Sequence, residues 1–572
     1  MKIFIKKIYL VLFLIFFLLV NTKTFGKNNH YVYTSDNISN YFTGILHVSS
    51  ADNKKAFNYL KKVKSLKNVH SNFNIEFIRT LILVEKFEEA FSFSKEIWNK
   101  DEIFFEVDLL LGLQAFKNKK YQLAKKHFKR LSKVSQYTFL FEDFLGNILL
   151  AWVEASDNNK VVSLKFLNEI SPRYENIKKI QNAFLQCYFD TAKTEVAFEN
   201  LINDKSYNLS RYNFFFANYL LSKNKKKEGN EVIRKAKKKH DANLLIKQAN
   251  KFIEKDNIKK INEIFSCQNS KDAVAEIFYL FANIYSTENN YKLSNFYLKI
   301  SLFLNNKFLP NKALLAENLF YQKKFEDSKN VFKSIETIGE IYFWYSNLKI
   351  AKILSGKEGS EYSTTTLKKK FSLLSDPNYE QYYQLANFYK DNEYYSESIK
   401  YYLLALKNIE KNHFLVPNIL TKIGISYERL GKFDKAEKNL EDSLKISPDE
   451  PHVLNYLAYM WVEQNKNINK AIKMLVRATS LKENDGYIID SLGWAHFMSK
   501  NYIDAEKYLR EALEILPSDP VINDHYADTL WMLKKNMQAR YYWSHVLNLD
   551  NLEKKLKDSV NKKIIFGINK KL

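Results

Sequence analysis

Three carboxylates near the end of the chain, Asp490, Asp524 and Asp528, alternate with the rings of Tyr459, Tyr487, Trp494 and Trp531. Closely spaced acids can do acid–base work or hold a metal. Acids set between rings can instead receive the basic or N–H groups of a bound peptide while the rings anchor its apolar side chains. The partner residues that catalysis needs are missing. The chain contains no HExxH, GxSxG, GxxxxGK[ST], GxGxxG or CxxC, so metalloprotease, nucleophilic-serine, phosphate-loop and dinucleotide chemistry lack their residues. His452, His496, His525 and His545 recur near the C-terminus at wide intervals. His496 falls where a ring packed inside its own helix pair is expected rather than a metal ligand. The reading is recognition, with no catalytic residues, no metal and no cofactor.

The elements that would hold these side chains are helices. With 13 glycines and 8 prolines, the chain lacks the turns of a many-stranded sheet, while Leu, Lys, Phe, Tyr, Glu and Ala recur at helical spacing. A unit of about 34 residues repeats along it. Units starting at Pro417, Pro451, Gly486 and Pro520 put the same residue types in the same slots. Slots seven and eight hold Ile423-Gly424, Leu457-Ala458, Leu492-Gly493 and Tyr526-Ala527. Slot eleven holds Tyr427, Trp461, His496 and Leu530. Near slot twenty stand Ala436, Ala471, Ala505 and Ala539, and Pro448 and Pro517 follow the second helix. Small residues at slots eight and twenty let two helices approach, and bulky ones fill the space between units. Continued upstream, slot eight falls on Ala386, Ala351, Ala316, Ala282, Ala249, Ala217, Ala183, Gly146, Gly112, Ile78 and Gly44. About 15 units tile residues 37–553.

This pattern resembles the tetratricopeptide repeat (TPR), and the resemblance implies an all-α superhelical solenoid of helix-turn-helix units. The expected organisation is an N-terminal degenerate array over 27–356, a weak seam over 357–370, a C-terminal array over 371–553 and a basic C-terminal tail over 554–572, the residues after Leu549 being read as a short basic helix or tail. The clearest units are 417–450, 451–485, 486–519 and 520–553. In such repeats slots two, five, nine and twelve of each first helix line the concave face. That face would carry Tyr459, Tyr487, Asp490, Trp494, Asp524, Asp528 and Trp531. A structural reading stands beside it: Asp490 caps or salt-bridges a neighbouring helix, and Trp494 is packed between repeats.

Lys2, Lys6 and Lys7 precede an apolar run from Ile8 to Val20, too short to span a bilayer, and Thr24-Phe25-Gly26 suits cleavage before Lys27. A signal peptide over 1–26 and a periplasmic location are expected, the alternative being an N-terminal inner-membrane anchor. The net charge of +24 falls by four with the lysines of that segment. Such a surface favours acidic proteins or an anionic membrane, while export argues against nucleic acid. The Lys223–Lys239 cluster could touch anionic head groups, although a solvated helix face is the better account of it. Cys187 and Cys267 lie 80 residues apart, on different repeats of an extended array, so no disulfide between them is expected.

The stretch Ile489-Asp490-Ser491-Leu492-Gly493-Trp494, with Asp519 through His525, Leu530-Trp531 and Ala539 through Trp543, is more particular than the generic repeat. It is similar to the C-terminal end of a family of exported bacterial TPR proteins. Several members are outer-membrane lipoproteins, and at least one is an adaptor that activates a carboxyl-terminal processing protease and presents cell-wall hydrolases to it. This chain lacks the acylated cysteine of those lipoproteins. The resemblance implies a protein-binding scaffold linking an envelope protease or peptidoglycan enzyme to its client. The alternative is a structural envelope component acting through its basic surface.

Overall fold

The computed structural model describes residues 34–99, 103–131, 144–204, 209–240, 242–550 and 552–568. The expected signal segment, 1–26, lies outside them. Every regular element among the described residues is a helix, and consecutive helices pack as antiparallel pairs.

The repeat register carries straight into packing. Slot eight is buried from Gly44 to Ala527, and Ala436, Ala471, Ala505 and Ala539 are fully buried where first and second helices cross. The closeness of that crossing is plain at Gly493, where a Cβ would come within 2.6 Å of Leu509 on the facing helix. Each first helix then ends on a residue with positive φ, as at Asn289, Lys323, Asn465, Lys500 and Lys534. This left-handed residue turns the chain into the second helix. Glycine fills it at Gly431, φ 70°, and at Gly359, φ 93°, and other residues fill it elsewhere, which is how so long a repeat protein manages with 13 glycines.

The chain forms two compact units, Met1–Ile350 and Ala351–Leu572. The division falls inside the helix Glu340–Glu358, a few residues before the expected seam. The seam itself is helical: Ser360–Phe371 buries Ser363, Thr364, Leu367 and Phe371.

The first unit turns back on itself. Helix Tyr291–Leu304 packs on Ser71–Leu83, and Ser270–Thr287 packs on Leu145–Ser156 and Glu175–Tyr188. Lys292 Nζ reaches Glu76 at 2.8 Å, and Lys117 Nζ donates to the Phe303 carbonyl at 3.0 Å. Phe87 stacks on Phe303 with ring centroids 4.6 Å apart. Buried Arg211 pairs with buried Glu276 at 2.7 Å, and the Tyr212 hydroxyl donates to the same carboxylate oxygen.

This curvature overturns one expectation. Cys187 and Cys267 form a disulfide, with Cα atoms 5.9 Å apart. Their sequence separation places them far apart only if the array is straight. In the superhelix, Phe184 and Phe265 meet at 5.4 Å, and both join Phe215 in one aromatic cluster that holds the cysteines side by side.

In the second unit, helices pack on their neighbours in sequence, pair after pair. Residues 554–566, in the segment expected as a short basic helix or tail, form a packed helix, Lys554–Phe566. It begins 34 residues after Pro520, so it sits where another first helix belongs, against Asn536–Val546. Val560 is buried, and Leu552, Leu556, Ile564 and Ile568 pack on the core formed by Leu530, Ala539, Trp543 and Val546. Lys554, Lys555, Lys557 and Lys562 form its exposed side, while Lys563 turns inward.

Candidate functional site

The first helices of the second unit present slots two, five, six, nine, ten and thirteen along one face. Between the units that begin at Pro417, Pro451, Gly486 and Pro520, this face opens into a cleft of about 610 Å³. Its walls are Tyr456, Tyr459 and Met460 from one first helix, Tyr487 and Asp490 from the next, and Val521 and Ile522 from the third. Tyr487 is 59% exposed and Val521 43%, so large apolar surface stands open at the mouth. Asp519 holds the start of the third helix by accepting from the backbone N–H groups of Val521 and Ile522 at 2.9 and 3.1 Å.

Two glutamates sit on the rim. Glu428 accepts the Tyr456 hydroxyl at 2.9 Å, and Glu463 accepts the Trp494 indole N–H at 2.8 Å. Burial, together with the charges and hydrogen bonds of these acids, raises the Tyr456 and Tyr459 hydroxyls above the usual tyrosine value, so both stay neutral donors.

The predicted site residues divide into three groups. Tyr459, Tyr487 and Asp490 line the open cleft, as slots nine, two and five predict. Trp494 does not line the cleft; it donates to Glu463 on the rim and packs between units, stacking on His525 at 4.0 Å and on Phe497 at 4.6 Å. Asp490 also lies 2.9 Å from His525 Nδ1. Burial alone would lower the His525 pKa, but Asp490, Asp524 and Asp528 outweigh it and the ring is raised. Asp490 therefore serves packing between units as well as lining the cleft.

Asp524, Asp528 and Trp531 are not in the cleft. They face the closing helix, where Lys563 Nζ sits 2.8 Å from Asp524 Oδ2 and 2.7 Å from Asp528 Oδ2. The Trp543 indole N–H donates to Asp528 at 2.9 Å, and Trp531 lies against the Gly567 backbone. Burial, then the neighbouring Asp524 charge, pushes the Asp528 carboxyl up to about 6 against the pull of Lys563.

Sequence reasoning passed over His525, Lys563, Glu428 and Glu463. The spacing of Leu552, Leu556, Val560, Ile564 and Ile568, one every four residues, was the available signal for the helix that carries Lys563. The Lys223–Lys239 cluster forms a largely exposed helix in which Lys235 pairs with Glu231, while Lys225 pairs with Glu195.

Comparison with known proteins finds the same register. Models of the tetratricopeptide repeat match residues 379–412, 417–450 and 487–516. A TPR repeat-containing protein of Pseudomonas aeruginosa, PA4667, is 30% identical over 104 residues, a stretch that covers 18% of this chain and 18% of the relative. Among solved structures, a tetratricopeptide repeat protein from Parabacteroides merdae is 18% identical, covering 39% of this chain and 85% of that one, with a TM-score of 0.33. The C-terminal part of a TPR repeat-containing protein from Cytophaga hutchinsonii is 18% identical, covering 42% and 97%, with a TM-score of 0.32. Two of these matches, 417–450 and 487–516, fall on helix pairs that border the cleft, and the matched residues 379–412, 417–450 and 487–516 are tetratricopeptide repeats.

Proposed function

We propose that this protein is an exported scaffold of the cell envelope that holds a protein partner in the cleft of its second unit and acts as an adaptor between an envelope protease or peptidoglycan enzyme and its client. The observation that carries the binding reading is the cleft itself, where open apolar surface from three consecutive repeats stands beside fixed carboxylates. Rings and aliphatic side chains in a shaped cleft are the anchors from which protein interfaces draw most of their energy. Export is supported by the apolar run near the N-terminus and by the Cys187–Cys267 disulfide, a bond that persists in oxidising compartments. The adaptor role is supported by the resemblance of residues 487–543 to exported adaptors.

The test is affinity capture of the full chain from the envelope of its native cell, beside a Tyr487→Ala/Val521→Ser variant. Both side chains are exposed, so the variant keeps the fold. Loss of a protease or wall hydrolase from the variant supports the adaptor reading. Equal capture by both, abolished by salt, transfers the function to the basic surface and to a structural envelope role.

A further inference from the structure

Acids at the repeat's inward slots take cations wherever the next helix supplies one. Asp524 and Asp528, slots five and nine of their unit, receive the Lys563 ammonium, and Asp490, slot five of its unit, receives His525. The rim of the open cleft breaks this pattern. Glu463 is held by a neutral indole N–H, and Glu428 by a neutral phenol, with Arg429 Nε 3.5 Å away at the margin. Four carboxylates, Glu428, Glu463, Asp490 and Asp519, line the cleft against that single arginine, on a chain whose net charge is +24. Residues 371–553, the array that holds the cleft, carry 26 acids against 21 Lys and Arg, so the chain's positive charge lies elsewhere, and between the cleft's carboxylates stand Tyr459, Met460, Tyr487 and Val521.

We infer that the cleft takes a segment of a protein partner that presents a lysine or arginine to Glu463 and Glu428 and an adjacent aromatic or large aliphatic side chain to Tyr459, Met460 and Tyr487. The basic group replaces the cation that the other acidic slots obtain from within the chain. The apolar neighbour supplies the buried area. An acidic or carboxylate-terminated segment is disfavoured by the four carboxylates. This inference rests on the scaffold reading and specifies its ligand.

A peptide-display library with random sequence, selected on the full chain carrying a photo-crosslinking residue at position 487, tests it. Enriched peptides are expected to pair Lys or Arg with an aromatic or aliphatic residue and to crosslink at 487. They are expected to bind Glu463→Lys about tenfold more weakly, the loss of one charge-assisted contact. Glu463 ends its helix, where a lysine suits the helix dipole, so this variant keeps the fold. Glu463→Gln should fall between the two. Enrichment of acidic or uncharged peptides, crosslinking elsewhere, or binding indifferent to Glu463→Lys overturns the inference. If envelope proteins are still captured in those cases, the scaffold reading survives with a different ligand or surface; if capture fails too, both fall.

Discussion

The two units use one repeat to opposite ends. In the first, turns of the superhelix meet across long stretches of sequence and are fastened by Cys187–Cys267, by Arg211–Glu276 and by Phe87 against Phe303. In the second, helices contact their sequence neighbours, and the inward face stays open from Glu428 to Ile522. The register is the same in both. What differs is which side chains occupy the inward slots: in the first unit they find partners in a later turn, and in the second they face solvent until the closing helix.

The sharpest way to break this contrast is the disulfide. Cys187→Ser/Cys267→Ser should cost the first unit about 4–5 kcal/mol in the chain-entropy model for a loop of this length. Calorimetry should show an early transition in that variant with a second transition unmoved, and a uniform shift of all unfolding would show that the units are not independent. Arg211→Met, which leaves Glu276 buried without its cation, should cost about 3–5 kcal/mol, again in the first unit alone. Denaturant melts separated by unit check it.

In the second unit Lys563→Met leaves Asp524 and Asp528 facing each other at the end of the array. Its cost should be about 2–3 kcal/mol and confined to residues 520–566, seen as faster amide exchange there. The pH dependence has an unusual sign. The Asp528 carboxyl is raised above its ordinary value, so holding it ionised opposes folding. That penalty is absent below the ordinary aspartate range, grows through about pH 4 to 6 and is complete above. Acidification from pH 7 to 5 should therefore protect the amides of Lys554–Phe566 more strongly, once exchange rates are corrected for pH. The smallest effect is expected at the turns. Lys500→Gly relieves a left-handed residue at φ 64° and should stabilise by about 1 kcal/mol, read from the thermal midpoint.

Small residues at slot eight made the helix pairs legible, because a crossing with room for at most a methyl group leaves its mark in composition at Gly493 and Ala458. Tyr459, Tyr487 and Asp490 were legible as cleft residues for the same reason: slots two, five and nine are fixed by the repeat. Asp524 and Asp528 share slots five and nine, and Trp531 takes slot twelve of the same face, yet the helix that covers them begins after the last full unit. Slot position fixes where a side chain points within its unit and carries no information about a helix beyond the last one. The disulfide was hidden by a different quantity. Superhelical pitch accumulates small rotations per unit, and no single residue encodes it.

A stack of repeats has no natural last member, since each unit offers its outer face to another. Helix Lys554–Phe566 occupies that face on the unit that begins at Pro520. By placing Lys563 on Asp524 and Asp528 and Gly567 on Trp531, it covers the surface that a first helix from a second molecule would otherwise join head to tail. Such a contact does not close on itself and runs on into fibres. The helix thus keeps Asp524, Asp528 and Trp531 inside the fold instead of on an open end face.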